Sequence, residues 1–290
     1  MNKNLISVSG KINSGKDLVT LIIRVLTHTD EVIKKEFYKD PIKFIKYYET
    51  RYFDSSYENK KFAYKIKVTV ANLLGCTINK LEQNDFKNKE LPTNWWYYLV
   101  YDKKIPYLST DLSEEFRSEN LKNLVKLTPR RLLVLLGTGV GRNIIHPDIW
   151  VNGLFSDYVH GVSKWVISDL RFMNELNKVN ELESVTIRIF RYKKLGEWFK
   201  TYDINFIDTE LEDTTFSDVE FTNYINDCGY TINEDLLKIL NHESEVELDA
   251  EKFTEIIDND GTINELINKI YMILVKYGVI EKIDGRGGLC

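Results

Sequence analysis

The hydrophobic pattern changes period several times along the chain, and each change predicts an element. Residues 4–8 form a short apolar run that reads as a buried strand, and from Asp17 to Leu26 the apolar positions Leu18, Leu21, Ile22, Val25 and Leu26 recur at helical spacing. From about 30 to 126 the pattern is mainly helical; "KFAYKIKVTVANLLG" is its clearest helix, with Gly75 as the stop. Thr128-Pro129 makes an N-cap and first turn for a helix through Leu132, Leu133, Leu135 and Leu136. "KWVISD" and "SVTIRIF" then read as buried strands with a short helix, Met173 to Asn180, between them. Near the end "FTEIID" reads as a strand and Asn259-Asp260-Gly261 as a turn. Thr262 and Glu265 form the capping box of a last amphipathic helix. Strands alternating with helices predict an α/β domain around a parallel sheet.

The 290 residues are 43% hydrophobic and 12% aromatic, enough for a sizeable core. A net charge of −5 gives no general attraction to nucleic acid or membrane, so an anion site has to be built locally. No signal peptide and no apolar run of membrane-spanning length is visible, which predicts a soluble cytoplasmic protein without a membrane partner. Cys76, Cys228 and Cys290 are odd in number and lack metal-ligand spacing, so neither disulfides nor zinc is expected. The acidic stretch 208–220 reads as a solvated surface segment.

"SGKINSGKD" lies between the first strand and the first helix. Gly10, Lys11, Asn13, Ser14, Gly15 and Lys16 fit G-x-x-x-x-G-K, in which loop amides and the helix N-terminus surround a phosphate and the lysine reaches the β- and γ-phosphates. Asp17 stands where a hydroxyl residue is usual. It can serve as a Mg²⁺ ligand, directly or through water, or cap the helix N-terminus, where a negative charge is favourable. Asp169 and Arg171, at the end of "WVISD", are expected at the same carboxyl edge of the sheet, with Asn174 and Glu175 just after. "TPRRLLVLLGTGVGRNIIHPDIW" adds Arg130, Arg131 and Arg142, whose planar forks suit phosphoryl oxygens, together with His146 and Trp150. A solvated basic helix face accounts equally well for Arg130 and Arg131; Trp150 can stack on a base, but core packing accounts for it better.

Taken in order, "SGKINSGKD", "KFAYKIK…LLGCT…LE…FKNK", "LLGTGVGRNIIHPDIWVNGLFSDY", "WVISDLRFMNE", "VTIRIFR" and "NHESEVELD…NDGTINELI" resemble the bacteriophage-type deoxynucleoside monophosphate kinases, a branch of the P-loop kinases. The resemblance spans about residues 5 to 270. In that family the loop typically reads SGKD, so Asp17 agrees with it, while Leu18 and Met173 stand where the family often has Thr and Pro. It implies a three-layer P-loop fold with a helical monophosphate-binding insertion: a core of about 1–28 and 128–275, an insertion of about 30–126 and a lid or variable segment of about 195–240. The implied activity is transfer of the γ-phosphate of ATP to a deoxynucleoside 5′-monophosphate (dNMP), with Mg²⁺, in the cytoplasm (the host's, if phage-encoded). Lys16 would hold the β/γ-phosphates, Asp17 would act near the metal, and Arg131, Arg142 and Arg171 would bind the monophosphate or the transferring group. Asp169 and Glu175 would orient substrate or metal-bound water, and Trp150 would line the base pocket. No stable nucleic-acid partner is implied, and a homodimer stays open. The alternatives are a P-loop kinase for another small acceptor, such as a ribonucleotide or cofactor precursor, and a nucleotide-binding regulatory module without turnover.

Overall fold

The protein is described by a computed structural model over residues 2–11, 13–48, 53–191 and 247–282. The acidic stretch 208–220 and the expected variable segment 195–240 lie outside these residues. The chain divides into two compact units, one of residues 1–61 and 157–290 and the other of residues 62–156.

The first unit is built on β1 (Asn2–Gly10), β2 (Glu58–Lys60), β6 (Trp165–Leu170), β7 (Ser184–Phe190) and β8 (Glu255–Asp258). They form a five-stranded sheet in the order β2-β6-β1-β7-β8, every neighbouring pair parallel. Ile6 pairs with Val166, Val8 with Ile187 and Ile189 with Ile257. The strands are apolar almost throughout because a parallel sheet is covered on both faces. Helix α1 (Lys16–Leu26) lays Val19, Ile22, Ile23 and Leu26 on Ile6, Val8, Val185, Ile187 and Ile189. The last helix, α11 (Ile263–Lys276), adds Leu266, Ile267, Ile270 and Leu274 to that layer. Its capping box forms: Thr262 Oγ1 accepts from the Glu265 amide, and Glu265 Oε2 accepts from the Thr262 amide.

Side chains alternate along a strand, so Ser7, Ser9, Ser184, Thr186 and Arg188 face away from that layer. They are buried and bonded across strands: the Ser7 and Ser184 hydroxyls lie 3.0 Å apart, and those of Thr186 and Thr254 lie 2.8 Å apart. Helix α10 (Met173–Glu181) contributes buried Leu176 and Val179 outside the α1 layer.

The expected insertion, 30–126, and the second compact unit, 62–156, have different bounds. Helices α2 (Glu31–Lys39) and α3 (Pro41–Tyr48) pack with the sheet, because Phe37, Phe44, Phe53 and Tyr57 join its core. The second unit runs instead to the end of α9 (Ile149–Phe155). Its first helix, α4 (Tyr64–Leu74), stops at Gly75, whose φ of 60° is the left-handed conformation expected of a glycine C-cap. Helices α5 (Ile78–Glu82), α6 (Asn84–Asn88), α7 (Glu114–Glu119) and α8 (Pro129–Val134) complete it; Val70, Ala71 and Leu81 pack with Leu132, Leu133 and Leu136.

The reading of 30–126 as mainly helical is corrected in two places: residues 58–60 form β2 of the parallel sheet, and a second sheet lies further on. Strands β3 (Tyr97–Val100), β4 (Lys103–Pro106) and β5 (Leu124–Val125) form an antiparallel sheet in the order β4-β3-β5. Tyr101 and Asp102, with φ of 47° and 60°, make the two-residue turn of its hairpin without the usual glycine. Among the described residues no helix is long and apolar enough to cross a membrane.

Candidate functional site

Strand β1 ends at Gly10 and α1 begins at Lys16, so the G-x-x-x-x-G-K segment is the connection between them. Ile12 is outside the described residues. The loop closes on itself through a bond from the Ser14 amide to the Lys11 carbonyl, 3.2 Å. Asn13 (φ 62°) and Gly15 (φ 101°) take the positive φ values that turn the chain into the helix. Gly10 is required by close approach, since a Cβ there would lie 2.6 Å from both the Ile189 carbonyl oxygen and Ser14 Oγ.

Side chains of Asn259, Lys16 and Lys11 hold this loop in place. Asn259, at the end of β8, takes the Phe190 carbonyl with its amide at 2.8 Å and donates from Nδ2 to the Ser14 carbonyl at 2.9 Å. Lys16 folds over the loop, Nζ donating at 2.6 Å to the carbonyls of both Gly10 and Lys11. Lys11 Nζ lies 3.0 Å from Asp249 Oδ2. Ser14 Oγ is buried and has no hydrogen-bond partner among the described residues. An orphaned hydroxyl beside the first-turn amides of α1, which have no intrahelical acceptor, is the chemistry of an anion cradle.

Asp17 lies in the first turn of α1, its side chain 76% exposed, with Oδ1 2.7 Å from Lys61 Nζ. Lys61 directly follows β2, which pairs with β6. The register of β1 against β6, Ser9 opposite Leu170, brings Asp169 and Arg171 to the carboxyl edge beside Gly10, and Ser9 Oγ donates to the Leu170 carbonyl at 2.8 Å. Asp169 is half-buried there. Glu175 is placed differently from a substrate-facing acid. It is 1% exposed, and its Oε2 accepts from the amides of Arg171 (2.9 Å) and Phe172 (3.2 Å), so it shapes the turn that carries Arg171.

Arg131, Arg142 and Trp150 belong to the second unit. The Arg131 amide is capped by Thr128 Oγ1, and its side chain is exposed, with no hydrogen bond or ion pair to a described residue. Arg130 Nε donates to Asn88 Oδ1 at 2.7 Å. Helix α8 widens into a π-helix over Leu135–Ile145, a form that leaves spare carbonyls. One of these, on Gly137, accepts from Trp150 Nε1 at 2.7 Å and from Arg142 Nη1 at 3.3 Å. Trp150 is 8% exposed, and a Cβ on Gly141 would lie 2.7 Å from its ring. Its place is therefore in the packing of the unit, where it fixes the segment that carries Arg142. His146 Nδ1 accepts from the Asp148 amide, a local turn bond.

Sequence reasoning passed over Lys61, Arg188, Asp249 and Asn259. Arg188 carried a signal as a lone charge inside the apolar run "SVTIRIF", and Asn259 was read only as a turn residue. Among the described residues no cluster of three or more His, Cys, Asp or Glu side chains is arranged to hold a metal. No protein-family model and no curated protein matches the chain.

Proposed function

We propose that the chain is a P-loop phosphotransferase that moves the γ-phosphate of ATP to a deoxynucleoside 5′-monophosphate, giving dNDP and ADP. The observation that carries this reading is the loop from Gly10 to Lys16, at the carboxyl edge of a parallel sheet, with a buried unpartnered hydroxyl on Ser14 and a helix N-terminus behind it. The order of motifs along the chain, which resembles the phage-type kinases, supplies the choice of acceptor. On this reading the sheet unit is the core of a three-layer P-loop fold, and residues 62–156 are the helical insertion that binds the monophosphate.

In the proposed reaction a phosphate oxygen of the acceptor attacks the γ-phosphorus in line, and the bond to the β,γ-bridging oxygen breaks, leaving ADP. The protein's part is positioning and charge neutralisation. Lys16 leaves the carbonyls of Gly10 and Lys11 for the β- and γ-phosphates, and loop amides hold the remaining oxygens. Arg171 meets the transferring group, Asp169 orients acceptor or water, and Arg131 and Arg142 take the acceptor's phosphate. Glu175 and Trp150 act one step removed, by holding the segments of Arg171 and Arg142.

Mg²⁺ arriving with a nucleotide keeps phosphate oxygens and waters as most of its ligands and takes only one or two carboxylates from the protein. Asp17 fits that demand as a single ligand once Lys61 yields its 2.7 Å contact. Held there, the ion would neutralise phosphate charge.

The test is a coupled assay of ATP with each of the four dNMPs, on the wild-type protein and on Lys16→Met. Transfer to at least one dNMP, reduced at least about a hundredfold in Lys16→Met without change in circular dichroism, is the expected result. Turnover with none of the four, at millimolar acceptor, would end this reading.

A further inference from the structure

Both lysines of the phosphate loop are engaged by the protein itself, and they are engaged differently. Lys16 sits on two carbonyls, which are neutral. Lys11 sits on a carboxylate: its Nζ is 3.0 Å from Asp249 Oδ2, with side chains 11% and 8% exposed. The other oxygen of that carboxylate accepts from Arg188 Nη2 at 2.6 Å, and Arg188 is itself 5% exposed. Arg188 Nη1 donates to Ser9 Oγ at 2.7 Å, one residue before the loop begins. The arginine is thus fixed by the sheet, and Asp249 is fixed by the arginine.

A charge pair this far from water is tightly coupled, and removing one partner leaves the other unsatisfied. Asp249 is protected from that outcome, because Arg188 stays on Oδ1 if Lys11 departs from Oδ2. Lys11 is a loop residue whose own carbonyl accepts from Lys16, so a polyphosphate entering the loop competes directly for its ammonium. We infer that Asp249 is a counter-ion that holds Lys11 in the empty loop and releases it to a bound polyphosphate, so that Asp249 sets the loop's anion affinity as well as its order. This rests on the reading of the loop as a polyphosphate site. It assigns Asp249 as a positioning residue and Lys11 as a second phosphate-binding cation.

The arrangement trades affinity against stability, and that trade separates it from a purely structural ion pair. Asp249→Asn keeps the shape, removes the negative charge and frees Lys11 in advance. Titration calorimetry with inorganic tripolyphosphate and with MgATP should show Asp249→Asn binding about tenfold tighter than wild type, a change of about 1.4 kcal/mol. Its melting temperature without ligand should fall. Lys11→Met, which leaves Asp249 on Arg188, should bind about tenfold more weakly. The double variant should be no tighter than Lys11→Met alone.

Unchanged or weaker binding by Asp249→Asn, or unchanged binding by Lys11→Met, overturns the inference. The kinase reading is separable from it. A wild type that binds tripolyphosphate and shows the variant pattern, yet phosphorylates no dNMP, removes the kinase reading and keeps the counter-ion. A wild type that phosphorylates a dNMP, with variants that lack the pattern, does the reverse. Binding of neither tripolyphosphate nor MgATP by wild type overturns both.

Discussion

Replacing Glu175 tests whether a buried acid near the site shapes a turn or meets substrate. Its Oε2 accepts two backbone amides, from Arg171 at 2.9 Å and Phe172 at 3.2 Å, at the start of α10. Hydrogen bonds to a charged acceptor contribute about 1.5–3 kcal/mol each. Arg171 and Phe172 are half-buried, so water reaches the amides after truncation and the lower end of that range applies. Glu175→Ala should therefore destabilise the protein by about 3 kcal/mol. Glu175→Gln keeps the volume and one neutral acceptor oxygen, and should cost about 1–1.5 kcal/mol. Urea denaturation followed by circular dichroism gives the stability change, and amide hydrogen exchange at residues 171–176 gives its location, since the two freed amides should exchange faster in both variants. Activity should fall in parallel with the loosening of the turn and be partly kept in Glu175→Gln. A Glu175→Gln protein with an unchanged urea midpoint, unchanged exchange and a hundredfold loss in kcat would refute the reasoning, because only a side chain that faces substrate gives that combination.

Three further outcomes follow from single contacts. Gly15→Ala puts a Cβ on a residue with φ of 101° and into the Asn259 amide group, and should lower stability by about 1–3 kcal/mol while weakening nucleotide binding; calorimetric titration and melting check the two together. Gly141→Ala places a methyl 2.6 Å from the Leu136 carbonyl oxygen and 2.7 Å from the Trp150 ring, so it should cost about 1–3 kcal/mol and change the tryptophan fluorescence. Burial pushes the Tyr57 phenol up to about 12, and its hydroxyl donates to the Lys3 carbonyl at 2.7 Å. The folded state thus favours the neutral phenol: this contribution is complete below the unfolded value near 10 and is lost as pH rises from there to about 12, by about 2–3 kcal/mol in all. Urea midpoints measured from pH 9 to pH 12 should fall more steeply for wild type than for Tyr57→Phe.

Much of the fold was legible because its signals are local. The apolar run before Gly10, the helical spacing from Leu18 to Leu26, the Thr128-Pro129 start and the Thr262/Glu265 box each involve residues within one element, and each forms where the pattern put it. The β3–β4 hairpin was missed because its turn is Tyr101-Asp102, whose positive φ values lack the usual glycine marker, although "YYLV" has strand-forming residues. The limits of the second unit were missed because the aromatic residues of α2 and α3 read equally well as part of a separate helical body. Their packing on the sheet is a choice among apolar surfaces that spacing does not make.

By itself the sequence determined the strands β1, β6, β7 and β8, the glycine and lysine positions of the loop between β1 and α1, and the caps that start and end several helices. These depend on backbone sterics and on neighbours a few residues apart. Tertiary structure alone decided which charges meet. Asp249 reaches Lys11 and Arg188 from 61 residues beyond the latter, Asn259 reaches the Ser14 carbonyl across 245 residues, and Lys61 reaches Asp17 across 44. It also turned Glu175 and Trp150 inward, since a buried carboxylate needs donors and a buried indole needs an acceptor, and the nearest ones were the backbone of the segments that carry Arg171 and Arg142. Pairings at such separations are fixed by strand register and burial, which exist only once the sheet has formed.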